Sequence, residues 1–253
     1  MIARFTLCAL ALIATGCQTE GEPAPVAPTH PATSPTLPET IQAAGARMHG
    51  RLEAARRIQL DVVHSDLASA QREARTLRDF AEPEMLAHWR PYLDRVSDAA
   101  RQIEQAPDVV RAAKTAAGLG RECARCHDAM AAHIVFPVAP RPPESRKLQP
   151  EMLGHEWAAA RMWEGLIGPS DERWGEGARA LTQIPLAIVA DQPREVPRQD
   201  WTLPDADKVG DDVARVRLYA NRALAERDQD ARAAVFGDLL ATCAHCHAVI
   251  RDR

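Results

Sequence analysis

The stretch DQDARAAVFGDLLATCAHCHAVIRDR, residues 228–253, reads as one helix that closes on Cys243-Ala244-His245-Cys246-His247. A second stretch, opened by Pro107-Asp108, reads the same way and closes on Cys123-Ala124-Arg125-Cys126-His127. On a helix, positions i, i+3 and i+4 share a face. Each motif therefore turns two thiols and one imidazole to the same side. Only six residues follow His247, so whatever covers that face is supplied by residues that precede the motif.

C-x-x-C-H is the attachment pattern of c-type haem. The thiols add to the haem vinyl groups, and the histidine becomes the proximal iron ligand. Two copies in a chain with six cysteines imply two covalently bound haem c groups. One would sit on Cys123 and Cys126 with His127 on the iron, the other on Cys243 and Cys246 with His247. A single structural zinc shared by the two cysteine pairs is the non-haem alternative. It leaves the trailing histidines and the export signal unexplained.

Residues 1–16 read as that signal. Arg4 supplies the positive end, and Phe5 to Ile13 form an apolar run too short to span a bilayer as a mature helix. Ile13-Ala14-Thr15-Gly16-Cys17 resembles a bacterial lipoprotein cleavage box, which makes Cys17 the lipidation site. The cysteines then balance: Cys8 is discarded, Cys17 takes lipid, four take haem, and none is left for a disulfide. Residues 17–38 form a proline-rich tether with Pro23, Pro25, Pro28, Pro31, Pro35 and Pro38. At roughly 3 Å per residue in an extended polyproline form it would reach about 60 Å from a membrane. Gln18 after the lipidated cysteine favours the outer membrane slightly over the inner.

The formal charge is −4, which excludes the basic footprint of a nucleic-acid binder. Aromatics are only 4%, and Ala, Leu and Arg dominate, so an all-α fold is expected. The chain also repeats. A shift of 104 residues aligns Met48, Gly50, Ala54-Ala55 and Arg57 with Met152, Gly154, Ala158-Ala159 and Arg161. A shift of 120 aligns Asp108, Ala113 and Leu119 with Asp228, Ala233 and Leu239, together with the two motifs. An irregular insertion at 185–204 accounts for the difference. This predicts two tandem four-helix domains from an internal duplication, at 39–136 and 148–253, joined by a linker at 137–147. Met48, Leu52, Ala55, Ile58 and Val62 mark the apolar stripe of the first helix. Ser65 or Asp66 caps the second, the third runs from Pro91 to Gln105, and Asp108 opens the fourth. The second half repeats the plan at Gln149–Ile167, after Ser170, and near Pro204–Glu226 and Asp228–Ile250.

In class I cytochromes c the haem motif lies near the domain start. Here each motif closes a four-helix unit, an arrangement that resembles the class II c-type cytochromes, the cytochrome c-prime family. The resemblance rests on motif placement and architecture in both halves. It implies haem held among the helices of a bundle. It also implies, as in low-spin members, a distal methionine from the first helix, here Met48 and Met152. Core packing is the competing role for each. His155, three residues after Met152, is the alternative distal ligand of the second haem. His64, His88, His133 and His245 are expected at surface or structural positions. Arg47, Arg51, Arg57 and Arg161 are candidates for haem propionates, against the simpler expectation of a solvated helix face. Trp157, Trp163 and Trp174 are expected in the core, and Met162-Trp163-Glu164-Gly165-Leu166 suggests no chemistry.

The expected function is single-electron transfer between periplasmic redox proteins by a lipid-anchored dihaem cytochrome. Gas binding (NO or CO) at a five-coordinate iron is the alternative. No catalytic acid–base set accompanies either motif, so a carrier is expected in preference to an enzyme. A homodimer is left open.

Overall fold

A computed structural model describes residues 39–80, 87–144, 148–184 and 203–251. The expected signal, Cys17, the tether and most of the insertion lie outside these residues. Among the described residues the fold is all-α, with no strand. The helices are α1 (Glu39–Val63), α2 (Leu67–Arg78), α3 (Arg90–Glu104), α4 (Val109–Ala129), α5 (Leu148–Ile167), α6 (Asp171–Gln183), α7 (Leu203–Ala225) and α8 (Gln229–Arg251). A 3-10 turn at Ala87–Trp89 leads into α3.

Local chemistry sets the helix starts. The Asp66 side chain accepts from the Ser69 amide, Asp108 from Arg111, Ser170 from Arg173 and Asp228 from Ala231. Each such cap is worth about 1 kcal/mol. Ser65, the other expected cap of α2, instead takes a positive φ of 59° and turns the chain out of α1.

The helices α4 and α8, which carry the two motifs, pack most extensively against each other. Small residues permit this. Ala112, Ala113, Ala116 and Ala117 of α4 are fully buried, and a Cβ on Gly237 of α8 would lie 3.0 Å from the Lys114 Cα. Gly120 leaves room for the Trp163 ring, which a Cβ there would meet at 2.6 Å. At the rim, Lys114–Asp238 (3.2 Å) and Arg125–Asp230 (2.9 Å) pair the two helices. Around this centre, α1 and α5 each contact both α4 and α8. One apolar core runs through both halves.

The expected core tryptophans are buried. Trp163 stacks on Phe236 at 5.8 Å, Trp174 meets the same ring edge-on at 6.2 Å, and the Trp174 indole N–H donates to the Ala223 carbonyl. Pairing the Trp174 N–H lowers the cost of its burial, whereas the Trp163 indole N–H is buried without a partner among the described residues.

The Met162–Leu166 segment does have a role. Glu164 is buried and accepts from Arg56 (2.8 Å), Arg161 (2.8 Å) and Arg173 (2.5 Å). Arg161 is therefore not on a solvated face: only 4% of it is exposed. The same arginines reach beyond the carboxylate. Arg161 donates to the Ala139 carbonyl (2.8 Å) and Arg173 to the Phe136 carbonyl (3.1 Å), while the Trp157 indole also donates to Ala139 (3.0 Å). The segment after α4 is thus fastened along α5 as a strap, with Phe136 buried beneath it.

Candidate functional site

Two cavities flank the motif turns, one per half. The first, about 500 Å³, is lined by Cys123, Cys126 and His127 of α4, by Met48, Arg51 and Leu52 of α1, by Tyr92, Leu93 and Val96 of α3, and by the strap from His133 to Pro137. The second, about 380 Å³, is lined by Cys243, Cys246 and His247 of α8, by Met152 and His155 of α5, and by Val209, Val213 and Val216 of α7. Both volumes fall within the range of cofactor pockets. Every expected motif and distal residue thus faces one cavity or the other, in the expected pairing.

Each cavity borrows from the opposite half. Ile167, at the end of α5, lines the first. Gln59, Leu60, Val63 and His64, at the end of α1, line the second. The motif histidines repeat the exchange: His127 Nδ1 lies 2.8 Å from the Ile167 carbonyl, and His247 Nδ1 lies 2.5 Å from the Val63 carbonyl. A carbonyl can only accept, so Nδ1 carries the proton, and in the neutral tautomer this selects, Nε2 keeps its lone pair. This orientation by a backbone acceptor is how metal-bound histidines are commonly held.

Burial sets the protonation of the lining groups. It pushes the Cys123 thiol up to about 12, with Cys126 and Glu122 adding to the shift. It pushes Cys243 up to about 12 and Cys246 to about 11, helped by Asp212. The Cys126 thiol is raised for the same reason. Burial lowers His247, and lowers His155 to about 4, with His247 and Arg217 contributing to the latter. Both shifts favour the neutral ring.

Behind each motif a buried carboxylate gathers cations. Glu122 of α4 accepts from Arg121 (2.8 Å) and Arg125 (3.1 Å), with Arg95 at 3.3 Å. In the other half Asp212 of α7 accepts from His245 Nδ1 at 2.6 Å, with Arg215 at 3.6 Å. His245 is thus structural, as expected. His64 and His133 are exposed, as expected, and each also lines a cavity. His64 stands 5.7 Å from the His247 ring.

No family model matches this chain, and neither the curated proteins nor the solved structures yield a match. The site therefore rests on its own chemistry. Two thiols and an oriented imidazole on one helical turn, beside an apolar-walled cavity of cofactor size, fit a covalently held haem. The two cysteine pairs line separate cavities, and among the described residues no three His, Cys, Asp or Glu side chains gather as a shell for a metal ion. Among the described residues no helix is long and apolar enough to cross a membrane.

Proposed function

We propose that this chain is a dihaem c-type cytochrome of the bacterial cell envelope, resembling the class II cytochromes, that carries single electrons between periplasmic redox proteins. Cys123 and Cys126 would hold one haem with His127 on its iron, and Cys243 and Cys246 the other with His247. The observation that carries the reading is the pair of Nδ1–carbonyl bonds, which leave Nε2 of both motif histidines as the free donor beside a cavity. Bound haem supplies a one-electron iron couple, whose potential follows from axial ligand, burial and hydrogen bonding. The protein's part is to orient the imidazoles and to keep water from the site with apolar walls.

A tandem duplication belongs to the same reading. Val63 and Ile167 are 104 residues apart, and His127 and His247 are 120 apart, the same two shifts that align the halves. Two copies related by a pseudo-two-fold axis would exchange contacts reciprocally in this way. Lipidation at Cys17 would tether the unit to a membrane.

Spectroelectrochemical titration of the protein, expressed with a haem-maturation system, tests the function. Two reversible one-electron steps per chain are expected. A high-spin iron that binds CO stoichiometrically at both sites would favour gas binding instead.

A further inference from the structure

The two distal positions are not chemically equivalent. His155 lines the second cavity, and its buried Nε2 has no hydrogen-bond partner among the described residues. The surrounding wall is largely apolar, from Val209, Val213, Val216 and Leu239. A buried ring nitrogen left unsatisfied is costly, and a metal or an acceptor taken up beside it would offset that cost. Met152, one turn earlier on α5, also lines the cavity but packs on the Val209 and Val213 cluster. In the first cavity the position matching His155 is Arg51, 104 residues earlier. A guanidinium has no lone pair to give a metal. Met48 lines that cavity half-buried and is the soft donor there, whereas His49 and His133, which also line it, are exposed.

We infer that the two irons have different distal ligands, Met48 on the first and His155 on the second, with Met152 serving as core. The inference rests on the proposed dihaem function and deepens it. Methionine opposite histidine raises an iron potential relative to two histidines. The second centre would therefore sit lower than the first, giving the chain a built-in direction for the electron.

The test is the ferric spectrum of the matured protein, in which a Met–Fe bond gives a weak far-red band. Wild type should show this band at the amplitude of one haem, together with two separated reduction steps. Met48→Ala should abolish the band and Met152→Ala should leave it intact. His155→Ala should convert half of the haem from low to high spin, read by electron paramagnetic resonance. His155→Met serves if the alanine variant does not fold, and it should double the band. A wild-type band of two-haem amplitude that Met152→Ala halves would overturn the assignment. So would a His155→Ala or His155→Met protein with an unchanged spectrum. Those results would leave the dihaem function standing, whereas a purified protein without covalent haem would remove both.

Discussion

Replacing Glu164 by glutamine tests how the fold holds its first cavity. The substitution keeps the volume and removes one negative charge from three arginines. Arg161 has a side chain only 5% exposed and Arg173 one 20% exposed, while Arg56 is 34% exposed. After the change the amide oxygen can still accept one bond, but the carboxylate nearest Arg161 is then the distant Glu176 at 3.6 Å, beside the neutral Ala139 carbonyl at 2.8 Å. Removing one partner of a buried ion pair costs about 3–5 kcal/mol, because the remaining charge stays uncompensated. At about 2–4 °C per kcal/mol for a domain of this size, Tm should fall by roughly 6–20 °C. The assay is urea and thermal unfolding followed by circular dichroism, with Arg57→Ala as control. Arg57 pairs with Glu73 at 2.8 Å but is 46% exposed, so its loss should cost under about 1 kcal/mol. The strap over the first cavity depends on the same arginines, so Glu164→Gln should also raise protease cleavage within 132–144. A loss below about 1 kcal/mol with an uncleaved strap would refute the reasoning.

Other substitutions probe the packing and the charges. Gly165→Ala would place a Cβ 2.4 Å from the Trp174 backbone nitrogen; forcing α6 off α5 should cost about 1–3 kcal/mol or more by the same unfolding assay. Gly118→Ala meets nothing within 4 Å inside α4 and should stabilise by about 0.5–1 kcal/mol. Asp171 accepts a charge-assisted bond from the buried Arg232, which holds its carboxyl below the usual range. A depressed carboxyl contributes stability above its unfolded value, near about 4, and loses it as pH falls through the folded value. The stability gap between wild type and Asp171→Asn should therefore be level at neutral pH and close below about pH 4. A gap that widens on acidification would contradict the pairing.

The helices, and the meeting of Met48 and Met152 with their respective motifs at two cavities, were legible in the sequence. Apolar periodicity marked α1, and Asp108, Ser170 and Asp228 begin their helices as side-chain acceptors do. The expected repeat puts Met48 and Met152 upstream of the motifs whose cavities they line. What was not legible depends on distant partners. Glu164 stands three residues after Arg161, a common helical pair, and nothing local shows that Arg56, 108 positions earlier, joins them. The carbonyls of Val63 and Ile167 that orient the motif histidines are backbone groups, present at every residue. Their role arises only when the ends of α1 and α5 meet the opposite motif. The strap reads as a linker because its prolines block helix formation, yet its carbonyls have partners on α5 and α6.

The central claim is that both motifs carry covalent haem. Intact-mass and peptide mass spectrometry of the protein, coexpressed with a haem-maturation system, tests it most directly. Two haem additions per chain are predicted, one on the peptide containing Cys123 and Cys126 and one on that containing Cys243 and Cys246. Four alkylatable thiols at those positions, with no added mass, would contradict the account.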